Sequence, residues 1–253
     1  MSSETVYLIS GANRGIGYKL ASIIAARPDT IVFAGARDPT AQSLTDLSAK
    51  YPNVHAVKLT SGDEADNAAA IAEIQRIAGH LDVIIANAGI AKYYGPLATT
   101  PVSELRDHWE VNTLGLVILF QAAHRLLLAS PTNTPIFAFI SSIAGSMGQH
   151  LPIQSSPYGS SKAAANFLIK SMHSENPMLI AMAIHPGFVM TEMGMDCATA
   201  IGIPKPPHDM DEAVAGVMSR IDGATREASG GRFWNFKVTR GNPWDVETEE
   251  VPW

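Results

Sequence analysis

Val6-Tyr-Leu-Ile-Ser10 runs directly into Gly11-Ala-Asn-Arg-Gly15-Ile-Gly17, and this stretch decides the fold. A short apolar run, a glycine-rich turn and the start of a helical pattern form the layout that places a pyrophosphate on a helix amino terminus. Gly11 permits the tight turn, Gly15 lets main-chain N–H groups approach the phosphates, and Gly17 allows the helix to pack closely on the strand. Glycines that merely shape a loop are the alternative, but their position directly after the first predicted strand favours a dinucleotide site.

The rest of the chain repeats the order of apolar run, turn and helical pattern. Near-continuous apolar runs predict parallel strands that helices cover on both faces. The predicted strands are Val6–Ile9, Thr30–Gly35, Val54–Leu59, Leu81–Ala86, Ile136–Ile140, Leu179–Ile184 and a short seventh at Gly231–Phe236. The predicted helices are Gly15–Ala26, Thr40–Lys50, Glu64–Gly79, Val102–Leu128, Ser155–Ser174 and Asp211–Ile221. This alternation predicts one α/β domain over residues 1–253, built on a doubly wound parallel sheet with right-handed crossovers.

Composition excludes several classes of protein. The chain has 253 residues, 46% of them hydrophobic and 17% charged, which is unlike a disordered segment. The formal net charge of −6 and the lack of a basic cluster argue against a nucleic-acid partner. Cys197 is the only cysteine, so the sequence offers neither an internal disulfide nor a cysteine cluster for zinc, and we expect no metal site.

The sequence carries no pattern that predicts export or membrane insertion. The amino terminus, Met1-Ser-Ser-Glu-Thr5, lacks the charged-then-apolar plan of a signal peptide. The longest apolar stretch, Leu114–Phe120, is far shorter than the ~20 residues that cross a bilayer. We therefore expect a cytoplasmic protein with no membrane partner.

The end of the second predicted strand bears on the choice of cofactor. It reads Phe33-Ala-Gly-Ala-Arg37-Asp38, where an NAD-binding chain usually places a carboxylate that binds the ribose 2′-hydroxyl. Arg37, together with Arg14 in the glycine turn, suits a dianionic 2′-phosphate, which accepts bidentate bonds. The alternatives are that both arginines are solvated charges, or that Asp38 itself faces the ribose. The pattern favours NADP(H).

Tyr158 and Lys162 stand four residues apart in a helical pattern, so they share one face of the helix. A tyrosine has a reference pKa of about 10, and a neighbouring ammonium favours the phenolate. We therefore expect Lys162, helped by the positive charge of an oxidised nicotinamide, to lower the pKa of Tyr158 towards neutrality. Ser142, at the carboxyl end of the fifth predicted strand, can hydrogen-bond a substrate carbonyl and share its proton with the tyrosine. Strand-end serines more often only cap a turn.

Ser10-Gly-x-x-x-Gly-x-Gly17, Asn87-Ala-Gly89, Asn112, Ser142 and Tyr158-x-x-x-Lys162, in this order and spacing, resemble the short-chain dehydrogenase/reductase family. Pro186-Gly187 followed by Thr191 also matches. The resemblance covers nearly the whole chain and implies a Rossmann fold. The Asn-Arg-Gly-Ile-Gly turn, the Ile-Ser-Ser-x-x-Gly-Ser segment and Pro252-Trp253 resemble the norsolorinic acid ketoreductase-like and sniffer-type carbonyl reductases of that family.

The resemblance implies a role for each matching residue. Tyr158 would donate the proton, Ser142 would orient the carbonyl, and Lys162 would bind the nicotinamide ribose and tune the tyrosine. Asn112 would hold a water that relays protons to Lys162. The residues expected to bind the cofactor are Gly11, Asn13, Arg14, Gly15, Ile16, Gly17, Arg37, Asp63, Asn87, Ala88, Gly89, Tyr158, Lys162, Pro186, Gly187, Val189 and Thr191.

Some positions depart from the family pattern. Ser10 replaces the usual threonine but keeps the hydroxyl. The spacing from Ser142 to Tyr158 is three residues longer than the commonest spacing in the family. Ser141 or Ser146 could therefore take the place of Ser142.

The resemblance also places a substrate loop at about residues 187–210. Residues expected on the open side of the site are Tyr93, Met147, His150, Leu151 and Met193, with Tyr94, Met190 and Met195 beside them. Methionines adapt to flat or irregular apolar ligands, although loop packing explains such a cluster equally well.

The leading hypothesis is an NADPH-dependent ketoreductase that reduces a bulky, aromatic, polyketide-like ketone to a secondary alcohol. We expect a small-molecule substrate and a homo-oligomer, either dimer or tetramer. An NAD-preferring alcohol dehydrogenase of the same fold is the second hypothesis. A non-catalytic dinucleotide sensor is the third, and it is disfavoured because all four members of the catalytic tetrad are present.

Overall fold

The computed structural model describes residues 4–238 and 247–253 and contains a seven-stranded, all-parallel sheet. The strand order is β3-β2-β1-β4-β5-β6-β7, with the crossover between β3 and β4 returning the chain to the other side of β1. The strands are β1 Thr5–Ser10, β2 Thr30–Ala36, β3 Val54–Lys58, β4 Val83–Ala86, β5 Ile136–Ile140, β6 Ile180–His185 and β7 Phe233–Asn235. The prediction of a doubly wound parallel sheet is confirmed.

Nine helices are present in the described ranges, and they flank the sheet. They are α1 Gly15–Ala25, α2 Gln42–Lys50, α3 Glu64–Ile77, α4 Val102–Trp109, α5 Gly115–Leu128, α6 Ser156–Glu175, α7 Glu192–Ala200, α8 Met210–Asp222 and α9 Arg226–Ser229. The strands read as near-continuous apolar runs because both faces are buried: Leu8 packs with Phe33 and Phe137 on one face, and neighbouring Ile9 packs with Val32 on the other.

The predicted helix Val102–Leu128 is divided. A π-helical turn, Glu110–Leu114, lies between α4 and α5, and the Gly115 N–H bonds to the Glu110 carbonyl. By length and composition alone these 27 residues could cross a membrane, with a mean hydropathy of 1.5 in their most apolar window. In the structure 44% of that window is buried, and α5 contributes Leu116, Leu119 and Leu126 to one face of the core. This stretch is a core helix of the α/β fold.

The predicted substrate loop, residues 187–210, is not irregular throughout. Helix α7 occupies its middle, and the Thr191 hydroxyl caps the helix by accepting from the Gly194 N–H at 2.9 Å. A parallel bridge between Val189 and His208 closes the segment at its base. The predicted loop therefore contains a helix, and the pairing of Val189 with His208 joins the two ends of the segment. Trp244, towards the carboxyl terminus, lies outside the described residues.

Candidate active site

The glycine turn joins β1 to α1 at the carboxyl edge of the sheet. Gly11 and Gly15 have φ angles of +67° and +57°, which L side chains rarely adopt. A Cβ on Gly17 would lie 2.3 Å from the Gly11 carbonyl oxygen, so only glycine allows the helix to approach this closely. No side chain caps the amino terminus of α1, whose first-turn N–H groups are therefore free to meet an anion. This cradle fits a dinucleotide pyrophosphate.

Ser10 and Asn87 fasten the turn to β4. The Ser10 hydroxyl accepts from the main-chain N–H groups of Asn87 and Ala88, both at 3.0 Å. The Asn87 side-chain amide donates to the carbonyls of Ser10 and Gly11, at 3.0 and 3.2 Å. The fold therefore uses the side-chain hydroxyl of Ser10, a group that threonine also has. Asn13 accepts from the Ser43 hydroxyl at 2.7 Å through its main-chain oxygen.

The charged residues near the ribose position differ in how they are bonded. Arg37 follows β2 directly, is exposed, and forms no ion pair within the described part of the chain. Asp38 accepts from the Thr40 N–H and hydroxyl at 2.9 and 2.6 Å, and these bonds hold its pKa below the usual value. Arg14 is paired with Glu192 at the start of α7. Arg37 is the guanidinium left available for a 2′-phosphate.

The remaining expected cofactor residues lie along the same edge. Asp63 caps α3 by accepting from the Asp66 N–H at 2.9 Å. Pro186 is buried, and Gly187 has a φ of +87°. Thr191 lies over the glycine turn, because a Cβ on Gly15 would be 3.7 Å from its methyl carbon. Ile16 packs partly against the core, so its role includes anchoring α1.

Ser142 and Tyr158 come together at the end of β5. Their hydroxyls are hydrogen bonded, and the Ser142 hydroxyl also accepts from the Ala144 N–H at 3.2 Å. Two glycines allow the approach: a Cβ on Gly145 would lie 2.7 Å from Lys162 Cβ, and one on Gly159 would lie 2.7 Å from the Ala144 carbonyl. Ser142 therefore caps a turn and contacts the tyrosine at once.

The alternative serines are engaged elsewhere. Ser141 is buried and donates to Asn166 Oδ1 at 2.6 Å. Ser146 is buried and donates to the Pro252 carbonyl. Of the three serines, Ser142 is the one that the structure pairs with Tyr158.

Lys162 is buried beneath the tyrosine. Its ammonium donates to the Ile140 carbonyl at 2.8 Å and lies 4.4 Å from the Phe139 ring centroid. The Tyr158 ring centroid is 5.7 Å away. Burial lowers the pKa of Lys162 to about 7, since no carboxylate among the described residues pairs with it.

In the chain by itself, Lys162 does not bring the pKa of Tyr158 towards neutrality, and the expected lowering in the presence of an oxidised nicotinamide stays a prediction. Burial raises the pKa of Tyr158 to about 12, while Ser142 lowers it and Cys197 raises it by smaller amounts. The physical reason is that the Lys162 ammonium points to the Ile140 carbonyl and that only about half of it is protonated at pH 7. At pH 7 Tyr158 is a neutral phenol, the form that can give up a proton.

Asn112 lies in the π turn and holds the loop after β4. Its Oδ1 accepts from the Ile90 N–H at 2.8 Å, and its Nδ2 donates to the Ile90 carbonyl and the Ser161 hydroxyl, both at 2.9 Å. A Cβ on Gly89 would lie 3.1 Å from Asn112 Oδ1 and 3.5 Å from Lys162 Nζ. These contacts place Asn112 and Lys162 against one stretch of backbone.

The expected substrate residues spread around the opening. Met147 is 79% exposed, Met190 and Met195 are about 40% exposed, and His150 is exposed. Met193 is half-buried, and Tyr93 folds over Gly95. Leu151 packs partly against the core, because it lies on the inner side of its loop.

Sequence reasoning missed Cys197 as a neighbour of the site. Its thiol is hydrogen bonded to the Tyr94 hydroxyl, which joins α7 to the loop after β4. Burial raises the pKa of Tyr94 and of Cys197, so both groups stay neutral near pH 7. Glu192 was missed as well. Neither residue belongs to a motif, and only the folded position of α7 brings them to the site.

His185 joins the end of β6 to the turn that follows β5. It is buried, and its Nδ1 accepts from the Ile143 N–H at 3.3 Å, which ties β6 to the turn after β5.

Comparisons with known proteins agree with this geometry. The family model described as short chain dehydrogenase matches residues 5–201. A norsolorinic acid ketoreductase of Dothistroma septosporum is 37% identical over 251 residues, covering 96% of this chain and 94% of that protein. An NADPH-bound carbonyl reductase from chicken fatty liver has a TM-score of 0.84 and 28% identity, covering 100% of each chain. The carbonyl reductase Sniffer of D. melanogaster has a TM-score of 0.85 and 24% identity, covering 99% of this chain and 100% of that one.

These matches extend over nearly the whole of the chain, and the resemblance to norsolorinic acid ketoreductase-like and sniffer-type enzymes is confirmed. The chain is an oxidoreductase that belongs to the short-chain dehydrogenase/reductase family.

Proposed function

We propose that the protein is an NADPH-dependent ketoreductase that reduces a bulky, aromatic ketone to a secondary alcohol. The observation that carries this proposal is the hydrogen-bonded pair of Ser142 and Tyr158 at the carboxyl edge of the sheet, with buried Lys162 beneath it. A neutral phenol beside a serine hydroxyl suits the protonation of a carbonyl oxygen. The name of the Dothistroma relative, a ketoreductase, points to the same chemistry.

The cofactor supplies a hydride to the carbonyl carbon when it is bound. Ser142 donates a hydrogen bond to the substrate oxygen, which holds the carbonyl in place. Tyr158 gives its phenolic proton to that oxygen as negative charge develops there, so the product leaves as an alcohol. The protonated form of Lys162, whose Nζ lies 5.7 Å from the ring centroid, would offset part of the charge on the resulting phenolate, against the larger effect of burial. Asn112 keeps the backbone at Gly89 and Ile90 in place against Lys162. A proton taken up from solvent then restores the phenol of Tyr158 for the next turnover.

Arg37 supports the choice of NADP(H). Its exposed guanidinium follows β2, where the ribose is bound in this fold, and it has no ion-pair partner in residues 4–238 or 247–253. Asp38 is less suited to the ribose, because Thr40 engages one of its oxygens twice. Gly11, Gly15 and Gly17 would hold the pyrophosphate of the cofactor, and Val189 and Thr191 would hold its carboxamide end.

The walls of the opening support a large, flat substrate. Met147, Met190, Met193 and Met195 offer adaptable apolar surface, and Tyr93 adds an aromatic one. Each ~50 Å² of apolar ligand surface left unburied forfeits about 1.3 kcal/mol, or nearly a factor of ten in kcat/KM. A small ketone would leave most of this apolar surface exposed to water.

We further propose a cytoplasmic homo-oligomer in which residues 187–210 form the substrate segment of a single domain. Exposed apolar side chains on α4 and α6, Trp109 and Phe167 at 46% and 72% exposure, suit a contact between copies. The one cysteine is a free thiol, as expected in a reducing compartment.

The test measures NADPH and NADH oxidation by the purified protein against aliphatic, aryl and polycyclic ketones. The proposal expects NADPH to be preferred and aryl or polycyclic ketones to exceed acetone-sized ones by about two orders of magnitude or more in kcat/KM. An NADH preference would favour an NAD-dependent alcohol dehydrogenase. Failure to oxidise either cofactor with any ketone would overturn the proposal.

A further inference from the structure

The segment Val251–Trp253 lies beside the active site although it is remote from it in sequence. The main chain before it pairs antiparallel with β7, through a bridge between Trp234 and Glu250 and a 2.7 Å bond from the Val251 N–H to the Phe233 carbonyl. Val251 is fully buried. The segment is thus anchored to the edge of the sheet by backbone pairing and by a core side chain.

The Trp253 side chain adds a second anchor. Its ring centroid lies 5.7 Å from that of Phe233, and Lys170 Nζ from α6 lies 5.2 Å from the same ring. Helix α6 is the element that carries Tyr158 and Lys162. Trp253 therefore packs between the edge strand and the catalytic helix, with an aromatic and a cation–π contact.

From this anchored position the segment bonds to the loop that joins Ser142 to Tyr158. The Ser146 hydroxyl donates to the Pro252 carbonyl and accepts from the Gln149 N–H at 2.9 Å. The Gly148 N–H donates to the Trp253 main-chain oxygen at 2.8 Å. A Cβ on Gly148 would lie 2.8 Å from Pro252 Cβ, so the two backbones are in direct contact.

The far end of the same loop is held by another element, since the Gly95 N–H donates to the Gln154 carbonyl at 2.8 Å. The part between these two fixed points carries Met147 and His150, whose side chains are exposed at the opening. The contacts with Pro252 and Trp253 set where this wall stands relative to Tyr158, because they fix its start only four residues after Ser142.

We propose that Val251–Trp253 is a positioning element that fixes the catalytic loop, residues 146–151, and thereby the substrate wall, so that it favours large ketones. This inference rests on the proposed function for its kinetic readout only. Loss of the anchor would leave Ser142, Tyr158 and the glycine turn in place, because in the described residues no hydrogen bond or ring contact joins them to Val251–Trp253. It would let the wall move away from a large substrate.

The test compares Trp253→Ala with Trp253→Phe and Gly148→Ala. Trp234→Ala is the matched control, because it removes the same side chain from neighbouring β7, where Trp234 packs on the opposite face of the sheet. Amide hydrogen exchange of peptides covering residues 146–151 is measured with the melting temperature and the Kd for NADPH. The kcat and KM for an aryl ketone and an acetone-sized ketone complete the set.

Trp253→Ala and Gly148→Ala should speed exchange in residues 146–151 about tenfold or more. They should raise KM for the aryl ketone about tenfold, with little change for the small ketone or for NADPH binding. Trp253→Phe should restore both properties, and Trp234→Ala should only lower the melting temperature. The proposal is overturned if Trp234→Ala reproduces these effects, or if exchange in Trp253→Ala is unchanged. Amide hydrogen exchange is measured without a substrate. If the wild-type protein reduces no ketone, the proposed function is refuted, and the exchange rates of residues 146–151 still test whether Val251–Trp253 positions this loop.

Discussion

Replacement of Asn112 by Ala gives a prediction whose size can be worked out from the structure. The change removes three hydrogen bonds of 2.8–2.9 Å and leaves both the N–H and the carbonyl of Ile90 without their partner in a half-buried position. An unsatisfied buried polar group costs about 1–3 kcal/mol, so we expect a loss of about 2–4 kcal/mol in the free energy of unfolding. For a chain of this length that lowers Tm by about 5–15 °C.

The same change should damage catalysis beyond its effect on stability. Gly89, which precedes Ile90, lies against Lys162, so release of this backbone misplaces the lysine that faces Tyr158. A displacement near 1 Å at reacting groups costs about 10²-fold in rate. We expect kcat to fall by about that factor at a temperature where Asn112→Ala is fully folded.

Asn53→Ala provides the control for this prediction. Asn53 donates to the Ala25 and Thr30 carbonyls and to the Thr30 hydroxyl at 3.0–3.1 Å, at the amino edge of the sheet and away from the site. The two variants should lose similar stability by urea unfolding, but only Asn112→Ala should lose kcat. If the two variants keep equal kcat, Asn112 is a structural residue and the reasoning is refuted.

Three further predictions concern charge and hydrogen bonding. The pKa of Lys162 is lower in the folded chain than in the unfolded chain, so the folded chain binds fewer protons than the unfolded one from about pH 7 upwards. The free energy of unfolding of the wild type should therefore rise relative to that of Lys162→Met between pH 7 and 9, by at most about 1.4 kcal/mol per pH unit. If urea unfolding shows the same pH dependence for both proteins, this prediction is contradicted. Glu192→Gln frees Arg14 and should tighten NADPH binding about two- to fivefold by fluorescence titration, whereas Glu227→Gln on α9 should not. Cys197→Ala should raise KM for an aryl ketone about three- to fivefold, whereas Cys197→Ser, which keeps a hydrogen-bond partner for Tyr94, should not. Equal KM values for the two variants would exclude a role for the bond between Cys197 and Tyr94.

The strands and three members of the tetrad could be predicted from local sequence, whereas Asn112 was predicted from the family resemblance alone. Buried parallel strands require near-continuous apolar runs, and each of the seven predicted runs overlaps a strand, with ends that differ by at most two residues. Ser142, Tyr158 and Lys162 were found because strand-end position and a spacing of four on a helix are readable without tertiary information. The choice of Ser142 over Ser141 and Ser146 needed the fold, since only the contacts of each hydroxyl distinguish them.

The features that sequence reasoning missed depend on contacts between distant residues. The π turn contains Asn112, whose side chain bonds to Ile90 and Ser161. These contacts join residues far apart in the sequence, so local helix propensity does not predict them. Helix α7 was taken for a loop because its sequence, Glu192–Ala200, is short and only weakly amphipathic. The pKa of Tyr158 in the chain by itself was not predicted, because spacing brings Lys162 near but does not reveal that its ammonium points to the Ile140 carbonyl.

The most direct test of the central claim is a comparison of wild type with Tyr158→Phe in NADPH binding and ketone turnover. The phenol gives its proton only during the reaction, so its loss removes stabilisation of the transition state and little ground-state binding. We predict that the Kd for NADPH stays within about twofold, that Tm changes little, and that kcat for the preferred ketone falls at least ~10²-fold. A Tyr158→Phe protein that binds NADPH normally and keeps most of its kcat would contradict the assignment of Tyr158 as the proton donor.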